Sequence, residues 1–273
     1  MKLISWNIAQ RPEPWRTLSS TDYDVALLQE AAAPPDDVLD EIAVDSAPWR
    51  TVGGASVRPW RTAVIQLSDR VGVEWLETKS LEHAGNGELA VSRPGTLAAA
   101  VVSAPDTEAI TVVSLYGVWE RPYATGESGW IYADASVHRL ISDLSALIER
   151  QNRHRIIAAG DLNILLGYGE YRSKYWAARY ATVFDRMEAI GLSFMGPQAP
   201  YGRRADPWPD ELPEDSNNVP TYHTTRQSPA TATRQLDFVF ASRSLTDHLQ
   251  VRALNEPEQW GPSDHCRIEI EVS

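Results

Sequence analysis

Eight side chains spread along this sequence cover the chemical types that metal-assisted hydrolysis of a phosphate ester uses: Asn7, Glu30, Tyr116, Asp161, Asn163, Asp237, Asp264 and His265. A hard dication takes carboxylate and amide oxygens as ligands. The attacking water needs a group that orients or deprotonates it. Charge developing on phosphorus needs donors, and the leaving oxygen needs a Lewis or Brønsted acid. Singly, each residue has a plainer explanation. Asn7 could cap a turn, Glu30 could start a helix, and Asp161 with Asn163 could form a turn after an apolar strand. Tyr116 could be a packed aromatic and His265 a satisfied core histidine. Their joint occurrence, in this order and spacing, is harder to dismiss.

Competing hydrolytic chemistries lack their parts. The chain carries no Ser or Cys nucleophile motif, no Walker A loop and no HExxH zinc helix. Cys266 adjoins His265 but opens the apolar run Cys266–Val272, which reads as a buried strand.

Each of the eight residues ends or flanks a short apolar run, and those runs must position them. Lys2–Trp6 leads to Asn7, Val25–Gln29 to Glu30, Ile110–Leu115 to Tyr116 and Arg155–Gly160 to Asp161. Gln235–Ser242 contains Asp237, and Asp264–His265 precedes Cys266–Val272. Short runs rich in Val, Ile and Ala predict buried strands, whose ends present loops that can converge. Trp60–Gln66, Val71–Leu76 and Thr96–Ser103 are further strand candidates.

Helices are fewer. Asp134–Gln151 places Val137, Leu140, Ile141, Leu144, Leu147 and Ile148 on one stripe. Tyr175–Ile190 does likewise and stops at Gly191, a C′ position. Asp37–Val44, after Pro34–Pro35, predicts a short helix. Strands separated sometimes by helices and sometimes by turns predict a layered α/β fold. Residues 196–220 are Pro-rich and acidic, lack periodicity and predict a long loop around Trp208. Such loops are often functional; a solvated insertion is the alternative.

The formal net charge is −12, with 22 Arg and three Lys. Non-specific duplex binding usually leaves a basic footprint, and none exists in bulk here. An acidic site neutralised by a cation would account for part of the deficit. The single Cys excludes an internal disulfide framework and fits a reducing, cytoplasmic setting. The N-terminus does not read as a secretory signal, and the longest apolar run, Leu97–Ala104, is too short to span a bilayer. No membrane insertion is expected.

In order, Ser5–Trp6–Asn7, Leu28–Gln29–Glu30, Gly160–Asp161–Leu162–Asn163, Gln235–Leu236–Asp237 and Ser263–Asp264–His265 resemble the endonuclease/exonuclease/phosphatase superfamily. Val113–Ser114–Leu115–Tyr116 resembles the strand that carries a phosphate-facing Tyr or His there. The resemblance runs from residue 4 to 265. It implies one domain over 1–273 with the fold of a four-layer α/β sandwich, two mixed β-sheets packed face to face and flanked by helices.

Residue roles follow from the resemblance. Glu30, helped by Asn7, would hold Mg²⁺ or Mn²⁺, with Asp264 at the same or a second metal position. His265 would donate to a phosphate oxygen, with Asp237 fixing its ring. Asp161 would position or deprotonate the water, Asn163 would orient water and phosphate, and Tyr116 would bind phosphate or assist the leaving group.

A nuclease is the first expectation. Tyr222, on the approach to Asp237, could stack on a sugar or base. Arg226 and Arg234 flank that segment, and Arg172, Lys174 and Arg179 follow the Asp161 loop; all could grip backbone phosphates. Arg234 stands where abasic endonucleases of the exonuclease III type carry an aromatic, which puts that specificity in doubt. The acidic loop disfavours long duplexes, so a short, single-stranded or structured nucleic acid is expected. The alternatives are a small phosphate ester (nucleotide, inositol phosphate or lipid headgroup) and an inactive interaction module. Oligomeric state is left open by the sequence.

Overall fold

A computed structural model describes residues 1–53, 56–119, 133–148 and 154–273. The apolar runs form strands: β1 (Lys2–Asn7), β2 (Val25–Ala31), β3 (Ala43–Val44), β4 (Arg61–Gln66), β5 (Gly72–Leu76) and β6 (Leu97–Ser103). The second half of the chain adds β7 (Ile110–Tyr116), β8 (Ile156–Asp161), β9 (Leu192–Gly196), β10 (Asp237–Ser242), β11 (Leu249–Leu254) and β12 (Arg267–Val272). They assemble into two six-stranded sheets, ordered β11-β12-β1-β2-β4-β3 and β9-β10-β8-β7-β6-β5. Each sheet holds one central parallel pair, β1 with β2 and β7 with β8, among antiparallel neighbours.

Period-two alternation explains why the sheets stack. On β2, Val25 and Leu27 face the second sheet and meet Val112, Ile157, Ala159 and Val239. The intervening Ala26 and Leu28 face outward, onto Trp15 and Leu18 of helix α1 (Glu13–Ser19). On the second sheet Val113, Leu115, Ile156 and Ala158 turn away from the first. They pack on α2 (Ala133–Leu144) and α3 (Lys174–Ala189). Strands buried on both faces read as near-continuous apolar runs, as observed. Each fully buried Leu, Ile or Val contributes about 1.5–3 kcal/mol. The result is four layers: helix, sheet, sheet, helices.

Several elements differ from the sequence expectation. Residues 37–44 hold a 3₁₀ turn, Asp36–Val38, and then the edge strand β3, not a helix. Ile42 and Val44 are two apart, a strand spacing, and Val44 pairs with Ile65. α1 is only two turns long, too short to show a helical stripe, though prolines at its start mark it. The stripe of 134–151 ends as an α-helix at Leu144 and continues as a 3₁₀ turn, Ser145–Leu147; its last residues lie outside the described ones.

Residues 196–220 contain no helix or strand beyond the end of β9, as expected, but are not a free insertion. Val219 joins the core between the sheets, and Gln235 Nε2 donates to Pro197 O at 2.9 Å. Asn218 Nδ2 donates to Leu166 O at 2.7 Å. Among the described residues no helix is long and apolar enough to cross a membrane.

Candidate active site

The topology places the polar strand ends at one end of the sandwich. Asn7 and Glu30 sit at the carboxyl ends of the parallel β1 and β2, Tyr116 and Asp161 at those of β7 and β8. Asp237 begins the antiparallel β10, directly opposite Asp161 in register, and His265 lies two residues before β12.

Local backbone devices aim the side chains. Gln29 faces the second sheet, where its Nε2 donates to Ser114 Oγ at 3.0 Å. Strict alternation would send Glu30 the other way. A register shift between Leu28 and Ala31 and a φ of 47° at Glu30 re-aim it. Its carboxylate then accepts from Tyr116 OH at 2.8 Å and from Asn7 Nδ2 at 3.3 Å. Gly160 adopts a φ of 156°, and a Cβ there would stand 1.9 Å from Leu115 O. Only glycine lets β8 lie so close to β7 just before Asp161.

Asp161 and Asp237 are both 1% exposed and His265 is 4% exposed, so this centre is dry. His265 Nδ1 lies 2.8 Å from Asp237 Oδ2, and Nε2 lies 3.7 Å from Asp161 Oδ2. Asp161 Oδ2 accepts from Asn7 Nδ2 at 2.9 Å and Asn163 Nδ2 at 3.1 Å, and its Oδ1 accepts from Asn163 N at 2.9 Å. Asn163 has a φ of 52° and also donates to Gly117 O, so its loop is pinned back onto the site. One ligand atom from each of Asp161, Asp237 and His265 lies within 4.8 Å of the others.

Electrostatics follow from burial and crowding. Desolvation pushes the Asp161 carboxyl up to about 7; Asp237 and Glu30 add to the rise, while His265 and the Asn7 amide oppose it. For His265, burial disfavours the imidazolium, but Asp237 and Asp161 outweigh it and hold the ring protonated up to about 10. Burial, then the Glu30 and Asp161 charges, pushes the Tyr116 phenol well above its usual range, so it remains a donor.

Residues beyond the expected set hold these groups. Thr221 Oγ1 accepts from Leu236 N at 2.9 Å and Asp237 N at 3.1 Å, fixing the start of β10. Trp6 Nε1 donates to His265 O at 2.9 Å, and Ser263 Oγ donates to Asn7 O at 2.7 Å. Ser5, Trp6 and Ser263 belong to the recognised motifs; Thr221 carried no signal except its neighbour Tyr222. Cys266 is fully buried, as its apolar run predicts, and burial pushes its thiol well above the usual range.

Of the expected substrate contacts, Tyr222 stacks obliquely on His265, ring centroids 4.9 Å apart. The arginines are placed differently. Arg234 forms a two-fold ion pair with Glu170 at 2.9 and 3.1 Å. Arg172 pairs with Asp210 at 3.1 Å and Glu211 at 3.5 Å, both in the acidic loop. Arg179 is bound to the buried Asp134 of α2. Arg226 is exposed on the turn after His223, and Lys174 begins α3. The expected grip on phosphate is therefore largely engaged by carboxylates of the chain itself. Asp264 is half-buried, with its main-chain oxygen accepting from His223 N at 3.0 Å.

No family model and no curated protein matches this sequence. Solved structures do match, end to end. The AP endonuclease LMAP from Leishmania major shares 17% identity over 99% of this chain and 87% of its own, with a TM-score of 0.64. The 3'-5' exonuclease NExo from Neisseria meningitidis shares 15% identity over 100% of both chains, TM-score 0.58. A Neisseria NExo structure described as a 3' phosphatase bound to product DNA hairpin shares 15% identity over 100% of this chain and 99% of its own, TM-score 0.57. At such identities the likeness is one of architecture. What they share with this chain is the fold.

Proposed function

We propose that the protein hydrolyses phosphate esters with a divalent metal, acting on nucleic-acid phosphoester bonds. One observation carries the reading. A buried Asp237–His265 pair and a buried Asp161 face one another at the mouth formed by Glu30 and Tyr116, on five separate chain segments. A satisfied core histidine would need one partner, not two carboxylates.

The donor set fits a hard dication. Glu30 is half-exposed beside three further carboxylates, Asp161, Asp237 and Asp264, with the protonated His265 among them. Glu30 would hold the ion, with Asp264 contributing. Asn7 Oδ1 accepts from Ala9 N and its Nδ2 ties Glu30 to Asp161, so it positions ligands as much as it binds. Asp237 and His265 hydrogen-bond each other, which suits a proton relay better than a metal cage. When bound, Mg²⁺ or Mn²⁺ supplies Lewis acidity to a phosphate oxygen.

The residues themselves divide the remaining work. Asp161, once deprotonated, accepts the proton of a water as its oxygen bonds to phosphorus and the opposite P–O bond breaks. Asn163 holds Asp161 and would orient that water. His265 donates through Nε2 to a non-bridging oxygen, with Asp237 fixing Nδ1. Tyr116, a phenol at this pH, donates to phosphate or to the leaving oxygen.

The fold relatives named for AP endonuclease, exonuclease and 3' phosphatase activity on DNA support a nucleic-acid substrate. Tyr222, stacked on His265, supplies a ring beside the scissile bond. The engaged state of Arg172 and Arg234 and the net charge of −12 favour short, single-stranded or structured substrates over bulk duplex. The lone buried Cys266 suits a cytoplasmic setting, and we read residues 1–273 as one domain.

The test is a panel of labelled single-stranded, duplex, RNA, 3'-phosphorylated and abasic oligonucleotides beside nitrophenyl phosphate esters. Each is assayed with Mg²⁺, Mn²⁺ or EDTA. Metal-dependent release from an oligonucleotide is the expected result. Activity confined to small esters would replace the nucleic-acid assignment, and none with any metal would overturn the hydrolase.

A further inference from the structure

The turn between β1 and α1 holds a strained backbone beneath one exposed side chain, Gln10. Ala9 and Gln10 adopt φ of 49° and 61°, two successive left-handed residues of which neither is glycine. Such residues are uncommon and persist only where their neighbours over-determine them, most often beside a functional site. The neighbours here belong to the candidate site itself. Asn7 Oδ1 accepts from Ala9 N at 3.0 Å, and Glu30 O accepts from Gln10 N at 2.9 Å. Arg11 N closes the turn on Ile8 O at 2.9 Å, and Arg11 Nη1 donates to Pro262 O at 3.1 Å, just ahead of Ser263 and Asp264.

What the turn presents is a carboxamide: Gln10 Nε2 donates to Glu30 Oε2 at 3.4 Å. The two oxygens of Glu30 are thereby unequal. Oε1 accepts from Tyr116 OH at 2.8 Å and from Asn7 Nδ2 at 3.3 Å, which fills both lone-pair sites of a carboxylate oxygen. Oε2 has Gln10 on one site and no other donor among the described residues. The second site of Oε2 is the one left for a cation, and the amide decides where it points. At 3.4 Å on the exposed rim the bond is long, so it adds little to folding; its effect is on orientation.

We propose that Gln10 is a positioning residue for the metal centre: with Asn7 and Tyr116 it fixes the Glu30 carboxylate before the ion arrives, and it turns the open side of Oε2 toward a divalent cation. This rests on the hydrolase reading above and deepens it, by assigning the oxygen of Glu30 that the ion takes. Partners that hold a ligating carboxylate are typically worth about 10- to 100-fold in metal affinity. A left-handed position with no task for its side chain would be better served by glycine, which adopts that conformation without steric cost.

The role can be read without turnover. Free Mn²⁺ counted by electron paramagnetic resonance gives the affinity of the full chain, and Glu30→Gln identifies the ion bound at this site. Gln10→Met keeps the length of the side chain and the strain of its backbone but has no N–H. Gln10→Gly removes side chain and strain together. Both should weaken Mn²⁺ binding about tenfold, while the Tm of metal-free Gln10→Gly should not fall below that of wild type. A purely structural role would move Tm and affinity together. Mn²⁺ affinity equal to that of wild type in either variant, or a Gly variant that loses affinity only alongside a lower Tm, would overturn the proposal. Wild type that binds Mn²⁺ through Glu30 yet hydrolyses no ester would instead overturn the hydrolase and leave Gln10 in this role, whereas no Mn²⁺ binding at all would remove both.

Discussion

His265 Nε2 stands 3.7 Å from Asp161 Oδ2, beyond hydrogen-bonding distance, while Nδ1 is held at 2.8 Å by Asp237. The ring is thus anchored on one side and left with an unspent donor on the other. Asp161 is anchored too, by Asn7 and Asn163. A proton acceptor and a proton donor face each other without quenching one another, which is the arrangement acid–base chemistry on a substrate between them requires.

That pairing sets a pH dependence. Asp161 must be deprotonated to accept a proton and is protonated below about 7. His265 must be protonated to donate and stays so up to about 10. The expected kcat/KM profile rises through neutrality and falls on the alkaline side. Positive charge bound at Glu30 would move the acidic limb lower. A pH–rate series from 5 to 10 with Mg²⁺ and with Mn²⁺ measures this, and a flat profile would contradict the roles.

The same shifts bear on stability, with the sign fixed by linkage. Both folded-state values are raised, so both contributions favour the fold at low pH. That of Asp161 is complete below 3.8 and lost as pH rises through about 7. That of His265 is complete below 6.5 and lost toward about 10. Metal-free protein should therefore melt lower at pH 8 than at pH 6, and a Tm that rises over this interval would argue against buried, raised groups.

Asp161→Ala and His265→Ala should each lower kcat at least about a hundredfold, the loss typical of an acid–base or charge-stabilising group. Asp237→Asn retains shape but removes the charge that holds the imidazolium, so it should lower kcat and bring the alkaline limb down. Turnover near wild type in either alanine variant would remove those residues from the mechanism.

Saturating Mn²⁺ at about a hundred times its Kd should stabilise the folded protein by about 2.7 kcal/mol. Differential scanning calorimetry would register the gain as a higher Tm, and Glu30→Gln should largely abolish it. An undiminished metal-induced shift in that variant would move the ion elsewhere.

Excising residues 196–220 should destabilise the whole protein, because Val219 sits in the core between the sheets and Asn218 and Pro197 anchor the ends. Replacing Asp210 and Glu211 with Asn and Gln should instead release Arg172 and tighten oligonucleotide binding several-fold at low salt. Titrations at two salt concentrations check this; unchanged affinity would make the loop's charge irrelevant to binding.

The sequence alone determined the strands that matter, since doubly buried strands show as uninterrupted Val, Ile and Ala runs, and it marked the polar residue at the end of each. Those residues were legible as a set because chemistry constrains their types. Tertiary structure decided what they touch. Asn7 lies 154 positions from Asp161 yet donates to it, and no local pattern encodes such a meeting. Only the backbone revealed that a bulge at Glu30 turns its carboxylate into the site. The partners of the arginines were hidden for a similar reason: proximity in the chain puts Arg172 and Arg234 near the motifs, and folding gives each a carboxylate partner. Trp60, far from every motif, was carried to Tyr116 by the packing of one sheet on the other. Side-chain type is written residue by residue, whereas charge pairing is a property of distances that only the folded chain sets.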